Sequence, residues 1–486
     1  MKSNYKLSNY AIISNAVNGQ EDRVVFSGRK AKAYIVSKTS LDYINNGRFL
    51  EIPKEKFNKL VEGQVLVPEE EDELFAVVSD NKQASARESG ILYEVLQPSA
   101  NCQLGCYYCG QQHVKADMGE ALIEKIYHRI EQKLLKGNYK GLFVGWFGAE
   151  PLMGLKQIRE LTKRLKGFCS DNGLSYNAKM VTNGLSLKED IFVEAVTELS
   201  INQFEITLDG VAAQHDKHRY VKGGGKSFDL IFNNLKKITS REDFFDFKAR
   251  IGIRCNVDES NEEGVSQLID LLVKEGMHKK LAYFYPIKIY DWGGNDASSK
   301  TSSKEQFTKD EMLWKLEMLD RGFPNPLRNL PGRKKVVCFA VQKNAELIDA
   351  YGNVFNCSEV SYSKHYEKSH HVLGNINVDG EHATYDNPPL SEWNDTLLKG
   401  TFPCSTCRIL PICGGRCPKS WNENEKACPT MKYNLKERLE MYYIHNYKGY
   451  TDEEREKAIE NFKEKVSKKS FEMIPHIDEP IAEIKS

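Results

Sequence analysis

Asn101-Cys102-Gln103-Leu104-Gly105-Cys106-Tyr107-Tyr108-Cys109 places three cysteines within eight positions. The next cysteine along the chain is Cys169, sixty residues on. A structural zinc site takes four ligands. A four-iron cluster also has four corners, usually filled by four cysteines. Three thiolates therefore leave one corner open to a ligand that the protein does not supply.

The sequence around this trio alternates between two periods. Ile91–Leu96 reads as a strand that feeds the cysteine loop, and Gly119–Leu135 reads as a helix. Strand patterns follow at Leu142–Phe147, Asn177–Thr182, Gln203–Leu208, Phe247–Val257 and Leu281–Ile287. Helical patterns separate them at Leu155–Leu165, Phe192–Leu199, Phe228–Ile238 and Val265–Val273. Successive β/α units predict a parallel sheet with right-handed crossovers, here a partial (β/α)6 barrel. Chemistry on such folds gathers at the C-terminal strand ends. Gly148-Ala149-Glu150-Pro151, Thr182-Asn183-Gly184 and Asp209-Gly210 all fall there.

Of twelve cysteines, seven lie in the C-terminal third: Cys338, Cys357, Cys404, Cys407, Cys413, Cys417 and Cys428. Cys169 and Cys255 stand alone, and a lone cysteine is most often a small buried hydrophobe. Cys255 is a candidate hydrogen-atom donor if it faces inward on its strand, and Glu359 is a second candidate catalytic residue.

Composition narrows the classes. Lys plus Arg and Asp plus Glu are both 68, so the formal charge is zero. A constitutive nucleic-acid binder would carry a basic excess. No apolar run approaches the roughly 20 residues of a membrane span. Met1-Lys2-Ser3-Asn4-Tyr5-Lys6 opens no signal peptide, so a cytoplasmic location is expected. Thiols stay reduced there, and the cysteines call for a role other than disulfides. No internal repeat, P-loop or dinucleotide fingerprint is present.

With these motifs in place, the sequence resembles the radical SAM superfamily over roughly residues 91–290. The resemblance implies that Cys102, Cys106 and Cys109 ligate a [4Fe–4S] cluster whose open iron is chelated by S-adenosylmethionine. One electron then cleaves the sulfonium to a 5′-deoxyadenosyl radical. Tyr108 matches the family's aromatic near the adenine. Gly148-Ala149-Glu150-Pro151 resembles its GGEP, with Ala149 in place of the second glycine. Thr182 and Asn183 complete the strand-end set. Thr207 matches a ribose contact, and Arg219 an arginine that pairs with the methionine carboxylate. Asn256 matches an asparagine on the fifth strand, and Ala282 on the sixth is expected to offer backbone to the adenine.

The C-terminal cysteines, with Gly352-Asn353-Val354-Phe355-Asn356-Cys357, resemble the SPASM extension of peptide-modifying relatives. That implies two auxiliary [4Fe–4S] clusters, three clusters in all. Cys404, Cys407, Cys413 and Cys428 would hold one, and Cys338, Cys357 and Cys417 the other. The stretch Asn329–Val337 offers no eighth cysteine. The open corner is left to a substrate atom, another residue or water. A zinc ribbon over Cys404–Cys417 is the alternative.

Near the N-terminus, Tyr10–Val17, Arg23–Ser27, Ala33–Ser37 and Val65–Pro68 read as strands. Leu41–Asn45 and Lys54–Val61 read as helices, and Glu69–Glu73 opens another. The pattern is winged-helix-like. Between Glu51 and Asp80 stand nine acidic and three basic residues, the reverse of what phosphate contacts need. The region resembles the precursor-recognition module of peptide maturases, which pairs a leader segment to a sheet edge. Asn81–Gly90 reads as a linker. Past Tyr433 the chain reads as charged helix, with a capping box at Thr451–Glu454.

The expected organisation is thus 1–85 peptide recognition, 91–290 radical SAM barrel, 291–337 linker, 338–430 SPASM domain and 431–486 helical extension. The expected function is modification of a ribosomally made precursor peptide by an intrapeptide cross-link through carbon, sulfur or oxygen. A flavodoxin or ferredoxin would donate electrons, with no nucleic-acid or membrane partner. An anaerobic sulfatase maturase, making formylglycine, is the first alternative. Such relatives carry Asp directly after the GxxxxC cysteine, where this chain has Ser358 and then Glu359. A peptide epimerase and a zinc-stabilised binding protein are the others.

Overall fold

A computed structural model describes residues 4–16, 21–86, 90–291, 293–324, 330–342, 344–385 and 388–478. The chain opens with strands β1 (Tyr5–Leu7), β2 (Ala11–Ile13), β3 (Arg23–Ser27) and β4 (Lys32–Val36). Helices α1 (Lys38–Asn45) and α2 (Lys54–Glu62), strand β5 (Leu66–Pro68) and helix α3 (Glu73–Ala86) follow. Strands β2, β3 and β4 form an antiparallel meander, and β1 pairs with β5.

Three expectations change here. The strand expected over Tyr10–Val17 is confined to Ala11–Ile13, and Val17 lies outside the described residues. Glu69–Asp72 precede α3 instead of forming its first turn. The Asp72 carboxylate accepts the Phe75 N–H at 3.0 Å and so caps the helix, while Glu71 pairs with Arg29 at 2.9 Å. Asn81–Ala86 is no linker: it continues α3. Asn81 is buried and accepts a hydrogen bond from Arg333 at 2.7 Å, and Val77 and Val78 pack against Trp393 and Leu397. Positions 87–89 of that expected linker lie outside the described residues.

The centre alternates strand and helix: β6 (Gly90–Leu96), α4 (Glu120–Lys136), β7 (Tyr139–Trp146), α5 (Leu155–Asp171), β8 (Ser175–Thr182) and α6 (Glu189–Thr197). Then come β9 (Ile201–Thr207), α7 (Ala212–His218), α8 (Phe228–Ser240), β10 (Arg250–Val257), α9 (Glu262–Lys274) and β11 (Tyr283–Lys288). Strands β6 to β11 pair in chain order, every pair parallel. The helices cover the sheet through apolar stripes of period 3.6. On α5, Ile158, Leu161, Leu165 and Cys169 are buried. Strand β10 starts at Arg250, not Phe247, because the chain turns through a left-handed Lys248 (φ +52°).

The sheet does not stop at β6. After α10 (Lys304–Asp320), strand β12 (Glu346–Ile348) adds in parallel to β6 and is followed by antiparallel β13 (Asn353–Phe355) and β14 (Val372–Asn375). The register sets Glu346 opposite Glu94, two acids side by side. Lys133 reaches both at 2.7 Å, and Arg129 forks onto Glu346 at 2.8 Å. These buried cations offset the repulsion and join α4 to the added strand. The C-terminal cysteine region is therefore continuous with the central sheet.

The remaining elements are α11 (Ile376–Asp379), α12 (Trp393–Leu398), α13 (Leu410–Cys413), α14 (Pro418–Asn422), α15 (Met431–Asn446) and α16 (Asp452–Lys468). The capping box at Thr451 and Glu454 is present, and Ala458, Phe462 and Val466 bury one face of α16. Among the described residues no helix is long and apolar enough to cross a membrane.

Candidate functional site

The cysteine trio occupies the loop that leaves the C-terminal end of β6. A second loop, after α7, holds it in place through the backbone. Gly105 N–H donates to Tyr220 O at 2.9 Å, Tyr107 N–H to His218 O at 3.2 Å, and Lys222 N–H to Gln103 O at 2.9 Å. A Cβ at Gly105 would lie 2.6 Å from the Tyr220 ring, so the two loops pack closely there. All three cysteines face one cavity of about 450 Å³. Burial pushes the Cys102 thiol up to about 11 and Cys106 up to about 12. Such thiols ionise only beside a strong cationic centre, which is the environment a metal cluster supplies.

The strand-end motifs line the same cavity. Gly148 ends the turn after β7 with φ +80°, where a Cβ would lie 2.1 Å from the Gln97 amide nitrogen. Ala149 is left-handed as well, at φ +43°. Glu150 is fully buried and accepts hydrogen bonds from the Thr182 hydroxyl at 2.6 Å, Asn183 N–H at 2.7 Å and Leu152 N–H at 3.0 Å. Burial raises its pKa, and these donors oppose the rise. Asn183 also reaches the Cys102 sulfur at 3.8 Å and the Gln103 side chain at 3.4 Å.

Tyr108 joins three strand ends. Its hydroxyl accepts from Arg219 at 2.7 Å and from the Asn256 amide at 2.9 Å, and donates to Asp209 at 2.6 Å. Asp209 accepts the Asn256 N–H at 2.8 Å. Arg219 keeps its Nε buried with no hydrogen-bond partner among the described residues. Arg219 also lines the cavity, and a guanidinium there suits a carboxylate. Thr207 lines the cavity as well.

Two expected residues lie elsewhere. Ala282 is exposed and precedes β11, at the N-terminal end of the sheet, opposite the cavity. The cavity is lined instead by Ile287 and Ile289 at the other end of that strand. Cys255 is wholly buried in the apolar core. Its neighbours Arg254 and Asn256 line the cavity, so strand alternation turns Cys255 to the helix-covered face. It is not placed to deliver hydrogen to a bound substrate.

The C-terminal region also lines the cavity, through Glu359, Arg416, Cys417 and Lys419. It is tied to the trio's loop by hydrogen bonds from Gln112 N–H to Tyr362 O at 2.7 Å, and from the Gln97 amide to the Ser361 hydroxyl at 2.7 Å. Burial pushes Glu359 up to about 7, opposed by nearby Arg254 and Lys419. Cys357 follows β13, and its thiol is pushed up by burial, with Glu359, Cys417 and Cys338 adding to the rise. Those three cysteines thus share one neighbourhood. Cys404, Cys407, Cys413 and Cys428 line a separate small space with Trp421 and Lys432. These are the cysteines that the resemblance groups as two ligand sets. Among the described residues no three His, Cys, Asp or Glu side chains gather as a single metal ion requires.

Arg254 and His113 were not foreseen, and Asp209 was noted as a strand-end motif without a role. Asn256 should have pointed to Arg254, two residues away on the same strand face. The Asp209-Gly210 pair carried the signal for Asp209. His113 follows the trio without a motif of its own.

Residues 96–246 match the model of the radical SAM superfamily. The chain is 22% identical over 356 residues to a cysteine-type anaerobic sulfatase-maturating enzyme of Clostridium novyi, covering 67% of this chain and 87% of that protein. Native anSMEcpe with bound AdoMet superposes with a TM-score of 0.53 at 17% identity, covering 76% of this chain and 99% of that one. The same protein with AdoMet and the Kp18Cys peptide gives 0.53 at 17%, with equal coverage. These structural likenesses show a shared fold.

Proposed function

We propose that this radical SAM enzyme modifies a ribosomally synthesised precursor peptide, forming an intrapeptide cross-link. The carrying observation is the shared cavity: the trio forms one wall, and Glu359 and Cys417 of the C-terminal region form another. A cross-link removes two hydrogens from the peptide, so a site for it needs two chemically distinct walls. When bound, the cofactors would supply a 5′-deoxyadenosyl radical that takes one hydrogen atom, and an acceptor for the second electron. The chain's own residues do the rest. Cys102, Cys106 and Cys109 hold the first cluster, and Gly148, Glu150, Thr182, Asn183, Thr207, Arg219, Asn256 and Tyr108 bind and orient S-adenosylmethionine. Cys404, Cys407, Cys413 and Cys428 hold one auxiliary cluster, and Cys338, Cys357 and Cys417 the other. Glu359 accepts the second hydrogen as a proton.

In this reading residues 91–290 are the partial (β/α)6 barrel, 338–430 the SPASM domain, 291–337 the link between them and 431–486 a supporting extension. Residues 1–85 are a winged-helix-like module that docks the leader. Strand β4 has one partner strand among the described residues, and Ile35 on it is exposed. An extended leader added at that edge would gain main-chain hydrogen bonds. A flavodoxin- or ferredoxin-like protein supplies electrons, and a cytoplasmic setting suits the chemistry.

Mass spectrometry of a candidate precursor after anaerobic turnover separates the readings. A cross-link removes two hydrogens and survives as one linked fragment. Formylglycine made from cysteine loses two hydrogens and exchanges sulfur for oxygen, and epimerisation leaves the mass unchanged. Either of those outcomes would replace the cross-link reading.

A further inference from the structure

We infer that His113 and Lys222 form a hydrogen-bond relay ending on the Cys109 sulfur, and that this relay raises the reduction potential of the cluster held there. The inference rests on the reading that the trio holds the S-adenosylmethionine-cleaving cluster. His113 Nε2 lies 3.8 Å from Cys109 Sγ, within hydrogen-bond reach of a sulfur. Its Nδ1 lies 3.0 Å from Lys222 Nζ.

The two contacts together fix the tautomer. A lysine ammonium only donates, so Nδ1 must accept, and the ring proton is then on Nε2. That N–H points at the thiolate sulfur. Lys222 is itself held in place: its ammonium donates to Cys102 O at 3.0 Å, and its backbone N–H to Gln103 O at 2.9 Å. Its side chain faces solvent at the start of Gly223-Gly224-Gly225, where Gly223 and Gly224 are left-handed. A charge on the molecular surface is thus connected to a cluster sulfur through one imidazole.

Hydrogen bonds to the sulfurs help to set the potential of an iron–sulfur cluster, because they stabilise the extra negative charge of the reduced form. Cys102 receives Leu104 N–H at 3.4 Å and the Asn183 amide at 3.8 Å. His113 is the side chain that serves Cys109, so it is a positioning residue for reduction and not a contact to the substrate.

The test is a potentiometric titration of the reconstituted enzyme, following the paramagnetic signal that changes when S-adenosylmethionine is added. His113→Leu is expected to favour the oxidised state about tenfold, a negative shift of about 59 mV for one electron. His113→Gln keeps an N–H donor and stays nearer the wild type. Lys222→Met frees the tautomer and shifts the midpoint in the same direction by less. Unchanged midpoints in His113→Leu and Lys222→Met, with iron content intact, overturn the inference. If His113→Leu fails to assemble its cluster, Lys222→Met decides alone. A Cys102→Ala/Cys106→Ala/Cys109→Ala protein that retains all its iron would instead overturn the underlying reading, and the inference with it.

Discussion

The Tyr108 hydroxyl accepts a hydrogen bond from Arg219 at 2.7 Å, although the two residues lie on different loops and 111 positions apart. With Asn256 donating and Asp209 accepting, that hydroxyl uses its full hydrogen-bonding capacity. Tyr108→Phe leaves a buried guanidinium, amide and carboxylate each short of a partner. The expected cost is about 1–3 kcal/mol, read from denaturant unfolding. Affinity for S-adenosylmethionine, measured calorimetrically, should fall as well, because Arg219 loses the contact that fixes its position.

Ala149 and Gly148 should respond in opposite directions. Ala149 has φ +43°, which is unfavourable for a residue with a Cβ. Ala149→Gly relieves that strain but gains freedom in the unfolded chain, leaving a net stabilisation of up to about 1 kcal/mol. Gly148→Ala adds a Cβ 2.1 Å from the Gln97 nitrogen at φ +80° and should be strongly destabilising. Urea midpoints of the two variants check both signs.

Glu359→Gln separates the two halves of the proposed reaction. Production of 5′-deoxyadenosine should persist, because Glu359 belongs to the C-terminal region and not to the trio's loop. Cross-linked product should fall by about 100-fold or more if Glu359 takes the proton. Equal loss of both products would place Glu359 in binding instead.

Glu311 gives a pH prediction remote from the cavity. Lys315 and Arg438 hold its carboxyl down to about 2, against the opposing effect of burial. A carboxylate whose pKa is lowered on folding stabilises the fold above its unfolded value, near 4.5. That contribution disappears as pH falls through the folded value. Wild type should therefore lose stability from this group between about pH 5 and 2. Glu311→Gln should be less stable at pH 7 and show a flatter acid limb in pH-dependent unfolding.

Much of this was legible in the sequence, for identifiable reasons. Strands β6 to β11 are buried runs separated by amphipathic helices, so both their order and their active ends follow from periodicity. The C-terminal cysteine groupings came from the resemblance to the SPASM extension, because their order along the chain does not give them. Strand β12 was missed because three residues carry no periodic signal. Its pairing depends on Lys133 and Arg129, more than 200 positions away, neutralising Glu346. The end of α3 was misread because Asn81 and the polar residues after it suggest a loop, whereas Arg333 satisfies the buried Asn81 amide. Ala282 was expected on the sixth strand but lies just before it, at the end away from the cavity. Cys255 was a candidate hydrogen-atom donor only if it faced inward, and the one-residue alternation from Asn256 turns it the other way.

Iron and sulfide counting after anaerobic reconstitution tests the central claim most directly, on wild type and on Cys102→Ala/Cys106→Ala/Cys109→Ala, with reductive S-adenosylmethionine cleavage followed in parallel. Three four-iron clusters predict about twelve irons falling to about eight, with loss of 5′-deoxyadenosine. Zinc in place of iron, or cleavage that survives loss of the trio, would contradict the account.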